Sequence, residues 1–347
     1  MHIMGSKFQA STIMIKNMFK MTKARLFIDI FLLGILVAIG LTLASVIHMP
    51  GSSYKGPFDS LSGEEADTEK KLKQHIKVLA GDIGQRNTEE SLKKSVDYIK
   101  GAMAENGYKT IEQEFEVDKQ TFKNLECTLK GSSDEVLLVG AHYDSVTGSL
   151  GADDNGSGVA SVIEVARLCA DKKFNKTIRF VFFCNEEPPY FASAEMGSYF
   201  YASRCVKNHD KIAGLLVLET LGFYTDAPNS QTYPANFTPG YPTTGNFLAF
   251  VGNQDSRQFV EKAIGAFRKE CKFPSEGVAA PNWVNGVDWS DQLWFWKNGI
   301  QAVMITDTAP YRNQNYHTMQ DTPDKLSYPS FSRVVVGLSK VVASLAN

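Results

Sequence analysis

The stretch EVLLVGAHYDS at residues 135–145 decides how the chain is read. Its first seven residues are too apolar to have a wet face and too short for a buried helix, so they read as a strand covered on both sides. The strand leads directly into His142, Tyr143 and Asp144. Three other runs have the same character: 177–184 (TIRFVFFC), 212–218 (IAGLLVL) and 302–306 (AVMIT). Weaker strand patterns lie at 111–117 and 122–129. Helical periodicity occupies 68–80, 89–106, 157–170, 193–204, 256–271 and 329–345. Apolar strands alternating with amphipathic helices imply an α/β fold, a mixed and largely parallel central sheet with helices on both faces.

In such sheets ligands bind outside the carboxyl ends of the strands. The 135–141 run ends in His142 and Asp144, and 177–184 ends in Asn185, Glu186 and Glu187. The 212–218 run ends in Glu219, and 302–306 leads to the loop with Tyr316 and His317. The loop GADDNGSG at 151–158 adds Asp153 and Asp154 at the entrance to a helix. Each feature alone has an ordinary reading: adjacent glutamates are usually a solvated pair, and an Asp before a helix is usually an N-cap. Their convergence on one sheet edge does not. Imidazoles mixed with carboxylates bind hard and borderline metals, and one carboxylate can bridge two ions about 3.5–4 Å apart.

At AHYDS (141–145), GADDNGSGVA (151–160), CNEEPPYF (184–191), EMGSYFYA (195–202) and YHTMQDTPDKL (316–326) the chain resembles the M28 zinc aminopeptidases, typified by secreted bacterial leucyl-type enzymes. The resemblance covers roughly residues 70–345 and implies a zinc exopeptidase-like fold with two divalent ions, zinc being the expected metal. It implies that His142, Asp154 and Glu219 serve one ion and that Asp154, Glu187 and His317 serve the other. It further implies Glu186 as general base, Asp144 as the group orienting His142, and Tyr316 as donor to the scissile carbonyl oxygen. A cis peptide is expected after Asp154. Two departures stand out. Glu219 occupies a position where many relatives have Asp, and the paired glutamates are followed by Pro188 and Pro189 rather than the common Gly-Leu.

The implied activity is hydrolysis of N-terminal residues from peptides with a free N-terminus, by an activated water and a Glu base. Trp283, Trp289, Trp294, Trp296 and Tyr311 are either core or the lining of a specificity pocket. Asp291 is expected at the pocket rim and Arg312 near bound peptide. Three alternatives remain, one of them a carboxypeptidase or dipeptidase. Glutaminyl-peptide cyclotransferases share the fold, use one zinc and typically carry Trp where this chain has Tyr316. A non-catalytic binding ectodomain would be expected to lack ligands that this chain has.

The formal net charge of −2 gives no electrostatic reason to expect nucleic acid. The five cysteines have no C-x-x-C spacing, and Cys169 and Cys184 read as core. The run IFLLGILVAIGLTLASVI at 30–47 is uncharged and follows Lys16, Lys20, Lys23 and Arg25. It reads as a basic cytoplasmic N-terminus (1–25), then a transmembrane signal-anchor (26–48) or, alternatively, a cleaved signal peptide. The Pro/Gly/Ser-rich stretch 49–67 reads as a tether and 68–347 as the catalytic domain, outside the cytoplasm. Everything before Ser60 is then expected to be dispensable for folding and catalysis.

Overall fold

The computed structural model describes residues 25–35, 40, 47–234 and 240–347. Among them the chain divides into an N-terminal unit, Met1–His48, and a second unit, Met49–Asn347. In the N-terminal unit residues 25–35 are helical, with Leu26, Phe27, Ile30 and Phe31 exposed. Of the expected basic stretch 1–25 only residue 25 is described, and of the expected span 26–48 only residues 26–35, 40, 47 and 48 are. Among the described residues no helix is long and apolar enough to cross a membrane.

The second unit is built on one sheet. Its strands are β1 Thr110–Val117, β2 Gln120–Leu129, β3 Glu135–His142, β4 Thr177–Phe183, β5 Lys211–Leu218, β6 Leu248–Asn253, β7 Ser275–Ala280 and β8 Ala302–Thr306. They lie in the order β1-β2-β4-β3-β5-β8-β6-β7. The central strands β4, β3, β5 and β8 are mutually parallel, while β1, β2 and the β8–β6 pair introduce antiparallel neighbours. The sheet is therefore mixed, as expected. The chain leaves β3 toward β4 on one side and later adds β5 on the other, so β3 stands where the strand order reverses.

Residues alternate between the two faces, as strand geometry requires. Leu137, Val139, Leu216, Leu218, Val303 and Ile305 join the larger core. That core is closed by α1 (Gly63–Ile76), α2 (Glu89–Glu105), α3 (Gly156–Cys169), α5 (Arg257–Glu270) and α8 (Tyr328–Ala346). Val136, Leu138, Leu215, Val217 and Ala302 face the other way, toward α4 (Gly197–Lys207) and α6 (Gln292–Lys297). A short helix, α7 (Ala309–Arg312), follows β8. All five cysteines are free thiols, four of them buried.

Three elements differ from the sequence reading. Helix α1 begins at Gly63 because Ser62 and Glu65 form a reciprocal capping box, which starts the helix before its apolar periodicity begins. Strands β6 and β7 carry no strong signal, since LAFVGN and SEGVAA interrupt their apolar residues with glycine and polar residues. The stretch expected to be a tether is docked over residues 49–59. Met49 is 5% exposed and packs where Gly277 has no side chain; a Cβ there would lie 2.8 Å from the Met49 Cγ. Arg268 Nη1 donates to the carbonyls of Met49, Pro50 and Gly51 at 3.0–3.3 Å. The Ser275 amide donates to Ser53 Oγ at 2.9 Å, and Phe58 stacks on Phe273. Composition suggested a free linker, but a single buried methionine and a committed arginine hold it.

Truncation tests this docking. A chain beginning at Ser60 should be less stable than one beginning at His48 by about 2–5 kcal/mol, the usual cost of emptying a buried methionine site, and Met49→Ala should reproduce most of the loss. Denaturant unfolding of the three proteins decides it; coincident curves would mean the segment contributes nothing.

Candidate metal centre

The register sets the first pair of site residues. Gly140 pairs with Val217, so two residues farther along, where both strands end, His142 lies beside Glu219 on the same face. His142 Nε2 is 3.3 Å from Glu219 Oε2. Asp154 arrives on the loop between β3 and α3, and its carboxylate lies between two imidazoles. Its Oδ1 is 3.4 Å from His142 Nε2, and its Oδ2 is 3.0 Å from His317 Nε2. Glu187 Oε2 is 3.4 Å from the same His317 nitrogen, and Glu186 Oε2 is 3.8 Å from His142 Nε2. The Tyr316 ring stacks on His317 with centroids 3.9 Å apart. The structure thus brings together all eight residues singled out from the sequence, Asp144 included. The Asp154–Asn155 peptide is cis, as expected.

Asp144 acts mainly on the backbone. Its two oxygens accept from the amides of Glu186 (3.3 Å) and Glu187 (3.0 Å), which aims both glutamates from one point. It also lies 3.4 Å from His142 Nδ1, without hydrogen-bond alignment. Four supports carried no recognised signal. Asp321 accepts from the Asp153 and Asp154 amides at 2.9 and 3.1 Å and so holds the Asp154 loop. Fully buried Arg86 donates to the carbonyls of Tyr143, Leu150 and Gly151 at 2.8–2.9 Å, joining the β3 exit to the same loop. Asn155 Nδ2 donates to Leu218 O and Glu219 Oε2, and Ser290 Oγ donates to Glu219 Oε2 at 2.7 Å. Asp321 sits inside the quoted 316–326 motif, five residues after Tyr316, but Arg86 and Ser290 have no local pattern.

Four residues other than glycine adopt left-handed backbone at the edge of the site: Asn185, Thr220, Thr308 and His317, with φ between 55° and 66°. Such conformations cost on the order of 1–3 kcal/mol each and persist where surrounding contacts fix them. Asn185 precedes the glutamate pair, and Thr220 follows Glu219, where its amide donates to Asn155 Oδ1.

The donor set fits a metal. Both Asp154 oxygens are buried and have no hydrogen-bond partner, an expensive condition for a carboxylate unless a cation completes it. Donor atoms 3.0–3.4 Å apart match the edges of a tetrahedron whose centre is about 2 Å from each, the Zn–N and Zn–O distance. His142, Asp154 and Glu187 each offer one ligand atom within 4.8 Å of the other two.

Protonation responds to the same crowding. Burial pushes Glu187 up to about 7, with the Asp154 charge adding to it. Burial also raises Glu186 well above the carboxylate range and raises Glu219. Burial would lower the histidines, but neighbouring carboxylates outweigh it. His317 rises to about 10 beside Asp154 and Glu187, and His142 also rises, beside Glu219 and Glu186. Burial would raise Asp154, yet the two imidazoles hold it below the usual range.

Two sequence readings need correction. Asp291 is not at a rim: it is fully buried, both its oxygens lack hydrogen-bond partners, and burial pushes it up to about 7. The polar WSDQ context suggested exposure, but Ser290 and Gln292 on either side are buried too. Arg312 is also buried, donating to Gln231 Oε1 and to the Phe247 carbonyl, and is not free to meet a peptide. The aromatic cluster divides. Trp289 and Tyr311 line a cavity that adjoins Glu219 and Tyr316. Trp294 and Trp296 pack against the smaller core, and Trp283 is exposed.

The model for peptidase family M28 matches residues 124–342. The uncharacterized protein YfbL of Escherichia coli is 33% identical over 278 residues, covering 77% of this chain and 85% of YfbL. Among solved structures, BSAP, a zinc aminopeptidase from Bacillus subtilis, superimposes with a TM-score of 0.63 at 16% identity, over 79% of this chain and 94% of BSAP. A glutaminyl cyclase from Fimbriiglobus ruber does so at 0.58 and 20% identity, over 82% of this chain and 97% of the cyclase. At these identities the two structures speak for the fold.

Metal ligation needs neutral imidazoles and ionised carboxylates, whereas the metal-free centre holds protons on both types of group. Loading near neutral pH should therefore release protons, and affinity should fall as pH is lowered. Calorimetric zinc titration in buffers of different ionisation enthalpy measures this; heats independent of the buffer would contradict it.

Proposed function

Because the chain belongs to peptidase family M28, we propose that it is an aminopeptidase that removes N-terminal residues from peptides at a centre of two divalent ions, with zinc as the metal. The observation that carries this reading is the Asp154 carboxylate, whose two oxygens each face a different imidazole. His142, Asp154 and Glu219 would hold one ion; Asp154, Glu187 and His317 would hold the other. Such ions supply Lewis acidity that makes a water nucleophilic near neutral pH.

The chain's own groups do the rest. Glu186 ligates neither ion in this assignment and lies 3.8 Å from His142, which suits a base that takes the water proton and passes it to the departing amine. The water oxygen bonds to the peptide carbon, the C–N bond breaks, and the products are a free amino acid and a shortened peptide. Tyr316 supports the carbonyl oxygen as negative charge develops there. Burial and the nearby carboxylates hold its pKa far above 10, so it remains a donor at every physiological pH. Asp144 keeps Glu186 and Glu187 in register through their amides. The cavity beside Glu219 and Tyr316 would receive the first side chain of the substrate. Its walls are mostly apolar, which strengthens charge interactions inside it.

We also propose that residues 26–48 anchor the protein to a membrane with residues 49–347 on the non-cytoplasmic side. The uncharged run at 30–47 and the basic residues before it support this. Recovery of the full-length chain from carbonate-washed membranes, and its release by deletion of 1–47, is the expected result; full-length chain in the soluble fraction would contradict it.

The adjacent glutamates separate the proposed roles. Glu187→Ala should lose metal, and activity with it. Glu186→Gln should keep metal content and fold while kcat falls about 10²–10⁴-fold with little change in KM. Metal analysis and kinetics on amino-acid amides read both outcomes, and a fully active Glu186→Gln protein would remove it as the base. A chain that cyclised glutaminyl peptides and left the amides intact would belong instead with the cyclases.

A further inference from the structure

The row of residues that begins with His142 and Glu219 continues across the sheet. Leu218 pairs with Ile305, Thr306 with Ala249, and Ala249 with Glu276. Glu219, Thr306, Ala249 and Glu276 therefore lie side by side at the end of β5 and on β8, β6 and β7, and directly opposed residues project from one face. Neighbouring strands are 4.7–4.9 Å apart, so three steps put the Glu276 Cα roughly 14 Å from that of Glu219. The orientation has an independent check. Gly277, next along β7, faces the opposite side, where an added Cβ would meet Ile264 and Met49.

Thr306 and Ala249 have short side chains, and the cavity lies over them with Glu219 and Glu276 both in its lining. Phe247, Val251, Val278, Met304, Tyr233 and Tyr241 form much of its wall. The result is a largely apolar trench lined by Glu219 on the metal-centre side and by Glu276 on the edge strand, where Glu276 also borders a second cleft with Ser53 and Lys55.

Glu276 is half-buried, its side chain 22% exposed, and burial raises its pKa. Its partners are weak for a carboxylate in that setting. The charge of Arg268 acts on it most strongly, followed by a bond from Ser53 and the charge of Lys55. Arg268 comes only to 3.8 Å, because its guanidinium is occupied elsewhere: Nη1 with the carbonyls of residues 49–51, Nη2 with the Ser275 carbonyl, Nε with the Ser275 hydroxyl. A purely apolar occupant would desolvate this carboxylate further without replacing the lost water. An occupant with an aliphatic stem and a cationic tip would cover the apolar walls and bring a charge opposite to that of Glu276.

We propose that the trench receives the side chain of the substrate's N-terminal residue and that Glu276 selects side chains whose long aliphatic stem ends in a cation, lysine or arginine. The proposal rests on the aminopeptidase reading and gives that site its substrate class.

The test compares lysine with norleucine, which matches its stem but lacks the ammonium group. Kinetics are measured on the amides of lysine, arginine, norleucine and leucine for the metal-loaded wild type and for Glu276→Gln. In parallel, calorimetry measures binding of lysinamide and norleucinamide to the Glu186→Gln protein, with and without Glu276→Gln. The expected result is that lysine and arginine amides exceed norleucine at least about tenfold in kcat/KM and that lysinamide binds more tightly than norleucinamide. Glu276→Gln should abolish both preferences and leave norleucine within about threefold of its wild-type value. Norleucine matching lysine in wild type, or Glu276→Gln slowing both amides alike, overturns the proposal. If none of the amides is hydrolysed, the aminopeptidase reading fails instead, and the binding comparison still decides whether Glu276 selects a cation.

Discussion

A carboxylate with both oxygens out of water and no hydrogen bond is among the least favourable things a protein can bury. Asp154 is held in that condition between two imidazoles supplied by distant parts of the chain, His142 at the end of β3 and His317 beyond β8. Little else in the surrounding architecture makes sense without it. The loop that carries Asp154 is tied through its amides to Asp321 and through its carbonyls to Arg86, so the loop cannot carry Asp154 away from the site without breaking both. The site is preorganised by groups that do not themselves ligate, which is how a fixed cluster of like charges is kept from dispersing.

Arg86 has a second effect. It is fully buried and hydrogen-bonded to carbonyls, so its charge is not consumed by one partner. It acts on Asp321, Asp144, Asp154 and Glu187 together, and burial does not remove its proton, because a guanidinium stays protonated in proteins. A permanent positive charge behind the ligands offsets part of their mutual repulsion, whatever the state of the centre. The left-handed residues at the site edge, Asn185, Thr220, Thr308 and His317, are the conformational counterpart: unfavourable locally and maintained by the same network.

The parts legible in the sequence were those where chemistry follows directly from local pattern. An apolar run bounded by charged residues identifies a buried strand and its end, and the ends of β3, β4 and β5 carry His142, Glu186, Glu187 and Glu219. What was illegible depends on long-range contact. Arg86 resembles any surface arginine until the loop at 150–151 is folded against it. Met49 resembles the end of an apolar run until Gly277 provides its slot. Asp291 sits in a polar tetrapeptide that tertiary packing buries whole. Strands β6 and β7 are short and glycine-containing, and they owe their place to pairing with β8 and with each other rather than to their own propensity.

The position of β7 at the margin of the sheet has a consequence for how such a protein can change. The residues of the candidate metal centre are delivered by the central strands and their loops, where any shift would propagate through both hydrophobic cores. Glu276 and Val278, by contrast, sit on the last strand, bonded on one side only. Replacing a residue there alters the far wall of the cavity and leaves the hydrogen bonds around Asp154 untouched. Change at the far wall of this cavity is thus mechanically insulated from the residues gathered around Asp154.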